Sequence, residues 1–115
     1  MNTIDDYSFG SMTINSKNYS SDLILYPNKI ITNWWREEGH SLCMEDLQEV
    51  EKDKPEILII GTGAYGRMTV PKEVIDQLEE EGIKVIARKT TEAVKEYNKL
   101  VKEGKKVVAA VHLTC

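Results

Sequence analysis

The first third of the chain carries short alternations of hydrophobic and polar residues, the pattern typical of β-strands. Turn-forming residues separate three such stretches, and the polar residues 15–18 are suited to a hairpin loop. We therefore predict a β-rich region over residues 1–40. Its predicted strands lie at residues 7–14, 19–26 and 29–35.

Within the first predicted strand, the hydrophobic residues do not keep one phase. Met12 and Ile14 are two positions apart and fall on one face, whereas Phe9 falls on the other. One extra residue near Gly10 would bring all three side chains to the same face. We therefore expect a β-bulge at that point.

From residue 56 onward, apolar runs alternate with amphipathic stretches, which predicts strands alternating with helices. Pro71 suits a first helical turn, where its missing N–H has no intrahelical partner. Gly82 and Gly104 are typical helix stops. The predicted elements are a short helix at 44–51, strands at 57–60, 83–87 and 107–111, and helices from Pro71 to Gly82 and from Thr90 or Thr91 to Gly104.

Short links between these elements favour right-handed crossovers and parallel strands over residues 56–112, in a βαβαβ arrangement. At 115 residues the chain has the size of one domain with its own core. We predict a single α/β (α+β) domain over residues 1–115. Its central sheet is expected to be mixed, largely parallel, and flanked by helices and a small N-terminal β-hairpin layer.

Charge and hydropathy narrow the range of partners. The net charge is −4, with 30% charged residues in which acids and bases are interleaved, as on a solvated helix face. This composition argues against nucleic acid or an anionic membrane as a partner. The first nine residues lack the basic and apolar regions of a signal peptide, and no apolar run is long enough for a bilayer. We expect a cytoplasmic protein.

Residues 61–66 match the pattern G-x-G-x-x-G directly after a buried strand, a pattern found in dinucleotide-binding proteins. In those proteins the helix starts inside the motif, so that its amino terminus faces the pyrophosphate. Pro71 places the helix start several residues too late. The next strand ends in Arg88 and Lys89 rather than in the acid that would hold a ribose. No cofactor is predicted.

A milder function of this loop stays open. Successive amides in a glycine-rich turn can bind an anion, and ligands of parallel sheets sit beyond the carboxyl ends of the strands. Three segments should meet at that edge. The candidate site for an anion or another small ligand consists of Gly61, Gly63, Arg67, Arg88, Lys89, Thr91, His112 and Cys115.

The segment Trp34-Trp35-Arg36 is a candidate partner surface. Adjacent strand residues point to opposite faces, so both indoles are buried only if both faces are covered. Either one indole packs in the core and the other contributes to a protein interface, where Trp and Arg are enriched, or both are core residues.

Catalytic and metal chemistry find little support in the spacing. His112 and Cys115 resemble a nucleophile pair, but no third residue is evident that would orient the histidine. The two histidines and two cysteines show no metal-ligand spacing, and sequence alone cannot pair Cys43 with Cys115. We predict no catalytic residue and no metal.

The chain carries five further short motifs: Trp35-Arg36-Glu37, Gly61 with Gly63, Val70-Pro71, Ala93 to Asn98 and His112 to Cys115. These motifs resemble those of a family of mostly uncharacterised α/β domains, the adipogenesis-associated Mth-domain family. Its more distant relatives include a mitochondrial complex I assembly factor, whose role we do not carry over. The resemblance implies a three-layer fold without established catalytic residues or cofactor. Gly66 is not a regular member of the pattern, so the complete glycine motif looks incidental.

Two functions follow as hypotheses. The first is a cytosolic, non-enzymatic protein-interaction or assembly-type domain, with self-association as one form of it. The alternative is a small-anion or metabolite-binding protein, or a weak enzyme, with its site at the carboxyl edge of the sheet around the loop 61–66. A concavity at that edge would favour the alternative, and its lack would favour the interaction domain.

Overall fold

The computed structural model describes residues 1–115 and contains two β-sheets. A small antiparallel sheet has the order β1-β2-β3, and a larger sheet has the order β5-β4-β8-β6-β7. The strands are β1 Ile4–Ser8, β2 Ser11–Ile14, β3 Lys17–Tyr19, β4 Leu23–Tyr26, β5 Lys29–Ile31, β6 Ile57–Gly61, β7 Lys84–Arg88 and β8 Val107–Val111.

Helices connect and cover the larger sheet. A 3₁₀ turn at Met44–Leu47 runs directly into α1, Gln48–Asp53, and the longer helices are α2, Lys72–Glu80, and α3, Thr90–Lys102. Pro71 immediately precedes α2, one residue away from the predicted start. Gly82 and Gly104 follow α2 and α3 with φ of 86° and 81°, so both predicted helix stops are confirmed.

The larger sheet is mixed, as predicted. β6 pairs in parallel with both β7 and β8, and the order β6-α2-β7-α3-β8 is the predicted βαβαβ unit. β4 pairs antiparallel with β8 and with β5. The larger sheet therefore combines strands from the amino-terminal part of the chain, β4 and β5, with strands from the carboxy-terminal part, β6, β7 and β8.

Two hydrophobic clusters lie on opposite faces of the larger sheet, because its central strands alternate their side chains between the faces. One face packs against α1 and α2, and the other packs against α3 and the small sheet. This arrangement makes three layers. Members of the first cluster include Leu47, Val50, Val74, Leu78, Ile24 and Ile60, and members of the second include Met12, Ile14, Tyr97, Leu23, Leu25 and Ile59.

The prediction of one strand over residues 7–14 is wrong, because these residues belong to a hairpin. Phe9 and Gly10 form the turn between β1 and β2, with Gly10 at a φ of 75°. The phase conflict disappears, since Phe9 sits in the turn and is 60% exposed while Met12 and Ile14 are buried. No bulge occurs at Gly10, and the one irregularity in register lies between Ile4 and Asp6.

Three other predicted boundaries also need correction. The strand predicted at 19–26 is broken at residues 20–22, where the chain leaves the small sheet for the larger one. The strand predicted at 29–35 ends at Ile31, and Asn33 has a φ of 54°, which is incompatible with a strand. The helix predicted at 44–51 begins as a 3₁₀ turn and extends to Asp53.

Candidate functional site

The carboxyl ends of β6, β7 and β8 meet at one edge of the larger sheet, because these strands are parallel. Backbone hydrogen bonds join the segments that follow them. The His112 amide donates to the Gly61 carbonyl at 2.9 Å, the Thr62 amide to Arg88 at 2.9 Å, and the Arg67 amide to Cys115 at 3.3 Å. The three segments of the predicted site therefore converge. We call this region the carboxyl edge.

At the carboxyl edge, the amides of the glycine loop are engaged within the chain. The Gly63 amide donates to the Thr90 hydroxyl at 2.9 Å, and the Ala64 amide donates to the Thr114 carbonyl at 3.3 Å. The Gly66 amide donates to Gly63 at 3.2 Å. An anion would have to compete with these bonds. The amides of this turn therefore hold segments of the same chain together.

Two glycines of the loop are required by close packing. A methyl group on Gly61 would lie 2.9 Å from the Thr90 hydroxyl oxygen, and Gly63 has a φ of 107° and faces the backbone of Thr114 and Cys115. The Thr90 hydroxyl also donates to the His112 carbonyl at 2.7 Å. Thr90 therefore ties two strand ends together and does not cap α3, which starts without a side-chain cap.

Four predicted polar residues of this edge are spread over its surface. Arg67, Arg88, Lys89 and Thr91 are all exposed. The Arg88 guanidinium donates to the neighbouring carbonyl of Ala87 at 2.8 Å rather than pointing toward the loop. No cavity opens among them. The largest groove, about 630 Å³, lies elsewhere, between the segment 37–45 and the start of α2, and four glutamates line it: Glu37, Glu38, Glu45 and Glu73.

A buried polar centre lies beside the loop and joins Asp22, Arg36 and His112. Asp22 Oδ2 is 2.7 Å from His112 Nδ1 and 2.8 Å from Arg36 Nη1, and Asp22 Oδ1 accepts a hydrogen bond from the Leu113 amide at 2.7 Å. The side chains of Arg36 and His112 are 5% and 7% exposed. These three residues come from the start of β4, the segment after β5 and the end of β8.

Electrostatics define the state of this centre. Burial alone would raise the pKa of Asp22, but the Leu113 amide, His112 and Arg36 outweigh burial and hold the pKa below its ordinary value. Asp22 is therefore a carboxylate, which can only accept hydrogen bonds, so the 2.7 Å bond runs from His112 Nδ1 to Asp22 Oδ2. Arg36 Nη2 lies 3.1 Å from the same Nδ1. His112 Nε2 is buried and has no hydrogen-bond partner, and the same holds for Arg36 Nε.

His40 and Cys115 adjoin this centre. His40 Nε2 lies 3.1 Å from Cys115 Sγ, and the rings of His40 and His112 meet edge to face with centroids 6.1 Å apart. Donor atoms of His40, His112 and Cys115 lie within 4.8 Å of one another. His40 is exposed and Cys115 is half-buried.

The predicted site contained His112 and Cys115 but missed Asp22 and His40, and it placed Arg36 on a partner surface. Asp22 is the third residue that the sequence did not reveal, the one that orients His112. No local signal marked it, because only the antiparallel pairing of β4 with β8, which sets Leu23 opposite Val111, brings the two residues together. That register puts Asp22 beside His112.

The two tryptophans divide as one of the two interpretations expected. Trp34 is 8% exposed, its indole N–H donates to the Asp46 carbonyl at 2.9 Å, and the Arg36 guanidinium lies 4.8 Å from its ring. Trp35 is 74% exposed. Phe9 and Tyr65 are 60% and 67% exposed, with ring centroids 6.2 Å apart. We call Phe9, Trp35 and Tyr65 the aromatic surface.

The fold and this edge define a three-layer α/β domain with a mixed five-stranded sheet. Residues 4–112 match the family model described as a protein of unknown function, DUF498/DUF598, and the chain belongs to that family. The expected resemblance is confirmed at the level of the Mth938-like domain. The associations with adipogenesis and with complex I assembly are not confirmed for this chain.

Solved structures share the whole fold. The protein named MT938 is 26% identical, with a TM-score of 0.82 over 100% of both chains. A Mth938-like domain of Bordetella pertussis is 23% identical, with a TM-score of 0.80 over 97% of this chain and 85% of the other. At this level of identity the second likeness shows the fold alone.

A relative from Francisella tularensis subsp. holarctica is named "13 kDa major membrane protein". It is 28% identical over an alignment of 110 positions, and the alignment covers 89% of this chain and 83% of that protein. In the present structure no helix combines the length and the hydrophobicity that crossing a bilayer would require.

Proposed function

We propose that this chain is a protein-interaction domain that associates with a second copy of itself through the aromatic surface. One observation carries the proposal: three large aromatic side chains remain exposed, and two of them, Phe9 and Tyr65, lie together beside the carboxyl edge. Phe9 lies in the β1–β2 turn, whose Gly10 amide donates to Leu113 at 2.9 Å, and Tyr65 lies in the glycine loop. Trp35 adjoins Arg36 of the polar centre.

Exposed aromatic rings of this size favour a protein contact. Each can bury about 150–250 Å² of surface, and Trp and Tyr dominate interface energetics. The chain is anchored on both sides of Trp35, since the side chains of its neighbours Trp34 and Arg36 make buried contacts. A side chain on a fixed backbone loses less conformational freedom when it binds.

The charges around the aromatic surface favour a second copy as the partner. A two-fold contact sets one patch against itself, so a self-complementary patch carries both signs of charge. Exposed cations lie on one side of the carboxyl edge and exposed acids on the segment after Trp35. They are Arg67, Arg88 and Lys89, and Glu37 and Glu38.

Sedimentation over a wide range of concentration tests the proposal. The full chain should form a dimer, and Trp35→Ala should weaken its dissociation constant at least about tenfold, the effect of losing a hot-spot residue. Lys84→Ala is the control, since Lys84 is exposed at the opposite end of β7. A chain that stays monomeric at millimolar concentration would refute self-association, as would a Trp35→Ala dimer of unchanged affinity.

The alternative, an anion or metabolite site at the loop 61–66, receives less support because the loop amides are engaged and no cavity opens there. Calorimetric titration with phosphate and nucleotides tests it, and binding that Arg67→Ala abolishes would restore it. The cytoplasmic location is likewise part of the proposal. Fractionation of the native cell tests it, with recovery in the membrane fraction as the opposing result.

A further inference from the structure

We propose that His40, His112 and Cys115 form a binding site for a divalent transition-metal ion of the zinc class. Asp22 orients His112 from behind. Two imidazole nitrogens and one thiolate would supply three ligands, and the fourth tetrahedral position would remain open to water or another ligand.

The three donor atoms are close to the required geometry. Metal bonds of 2.0–2.1 Å to nitrogen and 2.3 Å to sulfur place tetrahedral ligand atoms roughly 3.3–3.7 Å apart. The observed donor atoms lie within 4.8 Å of one another, and the His40–Cys115 pair is already at 3.1 Å. His40 is exposed, so rotation of its side chain can close the remaining gap without moving the core.

A second observation points independently to a ligand. His112 Nε2 is buried without a hydrogen-bond partner, and the residue as a whole is only 5% exposed. Buried polar atoms in folded proteins nearly always have a partner, and an orphan calls for a physical reason. A metal ion would be the missing partner.

The hydrogen bond behind His112 matches the arrangement found at metal centres. A metal-bound histidine usually donates its other N–H to a carboxylate, which fixes the ring and its tautomer. Asp22 Oδ2 accepts that bond at 2.7 Å. The nearby Arg36 cation is paired with the same carboxylate, so its charge is compensated before the ion arrives.

The donor set selects the class of ion. Imidazole and thiolate suit Zn²⁺ and its neighbours, whereas Mg²⁺ and Ca²⁺ require oxygen ligands. On binding, the Cys115 S–H bond breaks, the proton goes to solvent, and the thiolate bonds to the metal. No electron is transferred.

Titration of the untagged, reduced chain with Co²⁺ tests the site, because Co²⁺ reports on thiolate ligands by a charge-transfer band. We expect 1:1 binding, a thiolate band, and displacement by Zn²⁺. Cys115→Ser should abolish the band, and His40→Ala should weaken the affinity by more than about tenfold, the scale of losses at metal sites. Mg²⁺ should not compete.

Two control variants distinguish this site from metal binding elsewhere on the chain. Cys43→Ser should keep the band, since Cys43 hydrogen-bonds to Asp46 outside the cluster. Trp35→Ala should bind Co²⁺ normally whether or not the chain dimerises, so the two proposals fail separately. Absence of a thiolate band, unchanged affinity in His40→Ala, or binding of Cu²⁺ but not Zn²⁺ would overturn the assignment. Since His40 is exposed, its variant should fold.

Discussion

Two neighbouring parts of the carboxyl edge differ in whether their polar groups have hydrogen-bond partners. In the glycine loop, the amides of Thr62, Gly63, Ala64 and Gly66 all donate to acceptors in the chain. In the adjoining polar centre, His112 Nε2 is buried without any acceptor or donor. The loop has the familiar motif and the centre does not. Hydrogen-bond accounting therefore separates a structural turn from a candidate site better than a sequence pattern does.

The largest effect should come from removing the carboxylate of the polar centre. Asp22→Ala leaves the buried Arg36 guanidinium without its counter-ion and the Leu113 amide without its acceptor. Breaking one side of a buried ion pair costs about 3 kcal/mol or more, and we take the lower end since Asp22 is 18% exposed. Urea unfolding of the Asp22→Ala variant and of the unchanged chain measures the difference in their free energies of unfolding.

A second substitution sharpens that result. In the background of Asp22→Ala, Arg36→Met removes the orphaned charge and leaves an unbranched apolar side chain at that position. The double variant should recover part of the lost stability. If Asp22→Ala unfolds like the unchanged chain, the centre does not hold the edge together.

A substitution in the glycine loop should have the next largest effect on stability. Gly63→Ala places a methyl group against the Thr114 carbonyl and forces alanine to a φ of 107°. We expect a loss of about 2 kcal/mol in the free energy of unfolding. Gly82→Ala is the matched control, because its φ is 86° but nothing lies within 4 Å of the added methyl. Equal losses in the two variants would mean that backbone strain, and not close packing, accounts for Gly63.

The smallest effect concerns reactivity rather than stability. Burial and a hydrogen bond to the Asp46 carboxylate raise the pKa of Cys43 to about 11. At pH 8 only about one Cys43 thiol in a thousand is then a thiolate, the reactive form. In a Cys115→Ser variant, alkylation by iodoacetamide should be slow at pH 8 and should rise steadily up to pH 11. A plateau below pH 9 would contradict this assignment.

Local patterns are enough to predict the carboxy-terminal half of the fold. Continuous apolar runs at residues 57–60 and 107–111 and stops at Gly82 and Gly104 give the same elements in the structure. The amino-terminal half is harder, because strands of three to five residues carry little periodicity. Hydrophobicity alone predicts Phe9 on a shared face with Met12 and Ile14, although it occupies an exposed turn.

The polar centre escapes local patterns for a different reason. Asp22, Arg36 and His40 have no periodicity or spacing that links them to His112. They meet only because β4 inserts beside β8, a pairing that joins residues 90 positions apart. Predicting the centre would require the strand order first. Spacing alone finds no metal site, since His112 and Cys115 are close in sequence but the third proposed ligand, His40, is more than seventy residues away.

The position of β8 also has a consequence for how the chain folds. This strand lies between β4 and β6, so the middle of the larger sheet is filled by residues 107–111. Contacts between distant parts of a chain form slowly, because the entropy of the intervening loop is lost before the contacts can stabilise the fold. During synthesis, β4 and β6 must wait with unpaired edges until β8 emerges from the ribosome. In that interval the nascent domain presents open strands, which are templates for misassembly and substrates for chaperones.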